Sequence, residues 1–374
     1  MQPNTTDDSI LHLAAPTLVS LHFRYWGIDD EDSLALNARP PIFESLLKQV
    51  VLAAPGLREV SLASDEYLPW SLTAFSDSRS LSSITIHIPL FDEFHSLTSL
   101  ASLTELSLHN IGEPDASDMA VFQHFRSLEK VTLEGEPVYM AGILAQVAKS
   151  PSTIRKLDIH NDTGCPTTEM YDLFRVIKSH FDTSLEELAI DIPWDEPLWT
   201  AQSYAAFLLD FIQPLLGLRN LRVFDVVAEG VCCVLAWTNE VICAMASAWP
   251  RLTSLSVMWD CDYEYVCKPT LQCLPHLARS CPDLRDLYIM DVDWTWPATM
   301  DSQPISPHGL RTFRTHVDSD DLPAPNKRPA SDVGRLLDQL FPSLDTGYML
   351  CHARDKKRWK KAIEHVYHLQ RARA

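Results

Sequence analysis

The sequence predicts an α/β fold, a solenoid in which short parallel strands alternate with helices, and three observations predict it. The first is the stretch Ala101-Ser-Leu-Thr-Glu-Leu-Ser-Leu-His-Asn110. On an extended chain Leu106 and Leu108 point to one face and Glu105, Ser107 and His109 to the other, while Leu103 enters from the preceding turn. The second is recurrence: the same spelling returns about eleven times, at irregular spacings of roughly 22 to 39 residues. The third is that the segments between these copies carry the period of one-sided helices. Together they describe a leucine-rich-repeat solenoid, a right-handed β/α horseshoe with a parallel sheet on its concave side and helices on its convex side.

In chain order the repeats place their inward residues at Leu18, Leu21 and Phe23, at Leu57, Val60 and Leu62, and at Leu81, Ile84 and Ile86. After the reference unit come Leu128, Val131 and Leu133, then Ile154, Leu157 and Ile159, then Leu185, Leu188 and Ile190. The series closes with Leu221, Phe224 and Val226, with Leu252, Leu255 and Val257, with Leu284, Leu287 and Ile289, and with a weak copy at Leu310 and Phe313. Helices are expected over 43–51, 140–147, 170–177, 204–216, 241–245, 271–277 and 333–340. The 204–216 segment is apolar nearly all round, so it should be the most buried. Several helices hand over to the next strand through a proline break, as at Ala54-Pro55-Gly56, Trp249-Pro250-Arg251 and Ser280-Cys281-Pro282, where proline stops the helix and extends the residue before it. The Pro- and Asp-rich stretch 318–329 reads as a loop.

Beyond it the character changes. Phe341-Pro-Ser-Leu344 reads as a last degenerate repeat, and 355–372 as a basic amphipathic helix with Trp359, Ile363 and Val366 on one side. The chain thus divides into a solenoid over 1–340 and a degenerate repeat with a capping helix over 341–374, since a solenoid needs a polar-faced end unit. At the other end only Ile10-Leu-His-Leu13 stands before the first strand, so the first repeat looks cut.

At 374 residues the chain exceeds the ~250–300 at which one core stops growing, yet stacking repeats need only their neighbours to cover their apolar faces. No apolar run is long enough to span a bilayer, and the first residues lack the basic and apolar regions of a secretory signal. Nine cysteines without CxxC pairs read as reduced thiols of an intracellular protein, cytoplasmic or nuclear. The net charge of −19 argues against nucleic acid and anionic membranes, and favours a basic or neutral partner.

Motifs for phosphate, dinucleotide or zinc-protease chemistry and the serine nucleophile elbow are absent, so no catalytic residue, cofactor or metal ligand is assigned. His365 and His368, three apart on the basic helix, read as a surface pair. Strand alternation instead marks two features on the concave side. His87, His109, Glu134, His160 and Asp191 form a polar file that could hold a metal, a phosphate or a pH-sensitive contact, or could be a solvated face. Farther along, Val227, Met258 and Met290, flanked by Asp225 and Tyr288, suit a partner's apolar side chain. A third feature lies in loops after the later strands: Trp194 and Trp199, then Trp259, Tyr263 and Tyr265, then Trp294 and Trp296. Equivalent loops share one rim of a solenoid, and aromatics framed by carboxylates there suit a Lys- or Arg-bearing peptide; alternatively the tryptophans fold down over the ends of the core.

The irregular repeat length, the Pro-Xaa-Leu repeat openings and Phe341-Pro-Ser-Leu344 followed by Trp359 resemble the repeat region of the large F-box-like protein families of mushroom-forming fungi, across roughly residues 10 to 370. The resemblance implies the substrate-recognition subunit of a cullin-type ubiquitin ligase, whose F-box grips the ligase adaptor while the repeats hold the substrate. No Leu-Pro-x-Glu-like opening precedes the first repeat, so the adaptor is expected as a partner only if an upstream F-box exists. The function expected from the residues is protein binding without catalysis.

Overall fold

Alternation within each repeat fixes what its strand buries. In a computed structural model the segment Glu105–Ile111 is a strand that buries Leu106 and Leu108 and leaves Ser107 and His109 half-exposed. The structure describes residues 16–25, 41–64, 72–87, 97, 100–111, 125, 127–147, 153–161, 167–193, 204–229, 237–259, 268–294, 308–316, 328–352 and 357–373. They fall into two units, Met1–Thr163 and Gly164–Ala374.

The first unit contains strands β1 (Ser20–Tyr25), β2 (Glu59–Ser64), β3 (Ser83–His87), β4 (Glu105–Ile111), β5 (Lys130–Gly135) and β6 (Lys156–His160), with helices α1 (Pro41–Ala53) and α2 (Pro137–Val147). Each strand pairs in parallel with the next. Val60, Ile84, Leu106, Val131 and Leu157 stand in one register row, all buried. The second unit begins with α3 (Thr167–Phe181). It continues through β7 (Glu187–Pro193), α4 (Tyr204–Ile212), β8 (Val223–Glu229), α5 (Asn239–Ala248), β9 (Ser254–Trp259), α6 (Leu274–Ser280), β10 (Asp286–Asp291) and β11 (Thr312–His316). It ends in α7 (Ala330–Leu340), α8 (Thr346–His352) and α9 (Lys357–Arg373). Its strands are likewise parallel, with Leu188, Phe224, Leu255, Leu287 and Phe313 in one buried row. This is the α/β leucine-rich-repeat solenoid.

Two devices repeat from unit to unit. The leading leucine closes a tight turn, as when Leu57 N–H donates to Ala54 C=O, Leu252 N–H to Trp249 C=O and Leu284 N–H to Cys281 C=O. The next residue then starts the ladder on the preceding repeat: Arg155 N–H donates to Glu129 C=O, Thr253 to Arg222 and Arg285 to Thr253. Backbone groups that would otherwise be orphaned at the strand entrance are thereby satisfied. Phe341–Leu344 follows the same rule, since Leu344 N–H donates to Phe341 C=O and Asp345 N–H to Arg311 C=O. The chain then turns into α8, a helix that the repeat spelling does not predict.

Other departures have local causes. The helix expected over 204–216 stops at Ile212 and resumes as a 3₁₀ turn, Leu215–Gly217, because Pro214 has no N–H to continue it. The segment expected as a helix from Leu271 opens as 3₁₀, with the Thr270 hydroxyl accepting from Gln272 N–H. In β4 the register slips after Leu108, so that His109 and Asn110 both oppose Glu134, and Asn110 takes a φ of 56°. This bulge brings Ile111 against Gly135, which has φ 150°; a Cβ there would lie 2.6 Å from Ile111 O. The helix pair α7 and α9 crosses the boundary expected at 340/341. Gly334 lets the helices approach, since a Cβ on it would meet Ala362 O at 2.7 Å, and α9 buries Trp359, Ala362, Ile363 and Val366. The stretches 318–327 and 1–15 lie outside the described residues, as do their expected loop and first turn.

Candidate functional site

The open face of each unit carries the residues that alternate with the buried rows. In the first unit the central column runs Ser61, Thr85, Ser107, Thr132 and Asp158, in register from β2 to β6. These are small or polar side chains, and Asp158 forms an ion pair with Lys130 at 3.6 Å. Beside this column lies the expected polar file. The rings of His87 and His109 stack at 4.4 Å between centroids, only 13° from parallel, and His109 Nδ1–H donates to the Glu134 carboxylate. His160 stands opposite Glu134 in register. Burial holds the His87 imidazole below the usual histidine range; the neighbouring His109 and Arg24 push in the same direction and Glu134 opposes them. The file is therefore stacked and paired within itself. No group of three or more His, Cys, Asp or Glu among the described residues has the arrangement to hold a metal ion.

Asp191 lies in the second unit, opposite Val227 of β8. There the corresponding column turns apolar: Val227 and Met258 are register partners on β8 and β9, both half-exposed, and Met290 is half-exposed on β10. The central column passes through Ala189, Asp225, Ser256, Tyr288 and Arg314. Asp225 is half-exposed, with a buried Oδ1 that has no hydrogen-bond partner among the described residues. The Arg314 guanidinium lies 4.9 Å over the Tyr288 ring. Burial raises the Tyr288 phenol above its ordinary range, with Arg314 acting against that shift. Thus the structure brings Asp225, Val227, Met258, Tyr288 and Met290 onto one open strand face.

Against known proteins, no family model matches the chain and no curated protein matches it. Among solved structures it is similar to an internalin of Listeria monocytogenes, 14% identical over 79% of this chain and 75% of that one, with a TM-score of 0.37. It is also similar to the Toll–Spatzle complex of Drosophila, 15% identical over 72% of this chain and 32% of that one, with a TM-score of 0.36. Identities this low bear on the fold alone, and the fold stands on the strand register.

The rim tryptophans require a correction. Trp259 is 4% exposed and stacks on Trp237, with centroids 6.0 Å apart. Trp294 is 2% exposed, meets Trp359 edge-on at 6.1 Å and carries the Arg358 guanidinium 4.7 Å over its ring. Both fold down over the core, where the large ring takes its apolar area out of water. Neither can be a contact for a partner. The neighbouring acid Asp291 is buried too, and it pairs with Lys268. Trp194, Trp199, Tyr263, Tyr265 and Trp296 lie outside the described residues.

Strand alternation named the central positions Asp225 and Tyr288 but was not carried to the weak last repeat, and so missed Arg314. The central position between Phe313 and Thr315 carried the signal.

Proposed function

We propose that the chain is a protein-binding scaffold whose contact surface is the open strand face of the second unit, centred on Val227, Met258, Tyr288 and Met290. One observation carries the reading: Val227 and Met258 are register neighbours that stand half-exposed where strand alternation calls for solvent, with Met290 and Tyr288 on the strand beyond. In the first unit the corresponding positions are the polar His87, His109, Glu134 and His160. Methionine is unbranched and polarizable, so it moulds to a partner's apolar side chain, and the half-exposed Asp225 beside it adds a carboxylate for a basic or polar rim. The net charge of −19 favours a basic or neutral partner over nucleic acid or an anionic membrane. No helix among the described residues is long and apolar enough to cross a membrane.

The test is photo-crosslinking from position 258 in cells, compared with position 178 on α3, an exposed helical site of the same unit. A discrete protein adduct from 258 that is lost when Val227→Asp is added supports the surface. Identical adduct patterns from 258 and 178 sink it. The finer reading, a substrate receptor of a cullin-type ligase, rests on the repeat spelling and on Phe341-Pro-Ser-Leu344 with Trp359. It requires that a longer product carrying an F-box co-purify with the ligase adaptor, and an F-box-bearing product that fails to do so removes it.

A further inference from the structure

From β7 to β11 the central column of the open face in the second unit reads Ala189, Asp225, Ser256, Tyr288 and Arg314. It is charged at two places, with opposite signs. Asp225 is half-exposed and is in no ion pair among the described residues. Arg314 is exposed and likewise in no ion pair among the described residues, and its guanidinium leans back over the Tyr288 ring at 4.9 Å. The two cannot neutralise each other. Three strand spacings of ~4.8 Å separate their backbones by about 14 Å, and with the guanidinium over β10 the charges stand roughly 10 Å apart.

Their surroundings keep the two poles distinct. Beside Asp225, Glu187 and Asp191 stand half-exposed on β7 to either side of Ala189 and add negative field. Near Arg314, the acid on β10, Asp286, accepts a hydrogen bond from the Thr312 hydroxyl at 2.7 Å. Between the poles, Met258 and Met290 are half-exposed in the column alongside, next to the small Ser256. This apolar strip is one side chain wide, which suits a single extended chain better than a helix about 10–12 Å across.

We propose that the partner presents an extended segment laid across these strands, with a Lys or Arg at Asp225, an acidic side chain at Arg314, and an apolar side chain between them against Met258 and Met290. The proposal rests on the contact surface proposed above and adds the chemistry of what that surface holds. Residues of an extended chain that face the sheet alternate, so a basic and an acidic residue four apart span about 14 Å with the apolar one midway. Opposite charges on one column also fix the direction in which the segment lies, because turning it round sets like charges together.

The experiment is selection of displayed random decapeptides on the full chain, repeated on Asp225→Asn, Arg314→Gln and Val227→Asp. Peptides kept by the unaltered chain should carry a basic and an acidic residue four apart around an apolar one. Asp225→Asn should lose the preference for the basic residue and keep that for the acidic one, and Arg314→Gln should do the converse. For a synthetic peptide of the selected sequence, each change should weaken binding on the order of fivefold. Replacing the peptide's basic residue with Gln should then cost nothing further in Asp225→Asn. Arg251→Gln, at another exposed arginine of the unit, should leave binding unchanged. Peptides that Val227→Asp removes, but whose charges keep no fixed spacing or whose preferences persist on both Asp225→Asn and Arg314→Gln, overturn the proposal and leave the contact surface standing. If Val227→Asp removes no peptide, the surface itself falls and the proposal with it.

Discussion

Trp294→Ala should loosen the C-terminal helices while leaving the open strand face able to bind. The ring is 2% exposed and lies between Trp359 and the Arg358 guanidinium, so its removal leaves a cavity in the core that joins β10 to α9. Large-to-small loss of a buried tryptophan costs about 3–5 kcal/mol. The edge-on pairing with Trp359 and the guanidinium stacking add about 0.5–1.5 and ~0.5–1 kcal/mol. Part is returned, because the indole Nε1 is buried with no partner among the described residues, and deleting it removes a desolvation penalty of about 1–3 kcal/mol. The net expectation is a loss of about 3 kcal/mol, felt most where the contacts are. Trp294→Phe, which keeps a ring and drops the N–H, should cost about 1 kcal/mol or less. Hydrogen exchange read by mass spectrometry is the suitable assay, since repeat units open locally. Amides of α9 and α7 should lose protection by about two orders of magnitude while β8 and β9 change little. Unchanged protection of α9, together with loss of partner crosslinking from position 258, would refute the burial argument and return Trp294 to the surface.

Gly135→Ala should destabilise the first unit by about 1–3 kcal/mol, because φ is 150° there and the new Cβ would sit 2.6 Å from Ile111 O; thermal melting measures it. His87 is held neutral by burial, so its contribution is full above the unfolded histidine pKa near ~6.5 and is lost as pH falls through the lower folded value. Melting should therefore drop on acidification below about pH 6.5, and the drop should shrink in His87→Asn. Cys351 is exposed and should alkylate fast. By contrast Cys281, whose thiol burial pushes up to about 12, and Cys273, pushed up by burial as well, should react only on unfolding; peptide mapping of labelled cysteines decides this.

The strands were legible because their period is two and each one repeats its neighbour's spelling: a buried Leu106 and Leu108 needed no information beyond the local sequence. The helix α8 was not legible. Phe341-Pro-Ser-Leu344 opens like every other repeat, and only Asp345 and Thr346, at the start of a helix, divert the chain. The polar file was readable as a column, and His87 and His109 are plain register partners on β3 and β4, but the bulge at Asn110 that sets both His109 and Asn110 opposite Glu134 is announced by no residue count. The rim tryptophans failed for a related reason. A position after a strand says where a side chain begins and not whether its ring turns inward, which depends on what α9 and Trp237 leave uncovered.

The central claim is that consecutive repeats lie as parallel neighbours in chain order, and nitroxide pairs along the first residues of the strands test it most directly. Glu59, Glu105, Lys130 and Lys156 belong to one register row on β2, β4, β5 and β6, with Ser83 of β3 between the first two. With one label fixed at 59, backbone separations should grow by ~4.8 Å per strand, to about 10, 14 and 19 Å for partners at 105, 130 and 156. Distances that rise in that order support the stacked solenoid; distances that do not rise, or that fall between 105 and 156, contradict it.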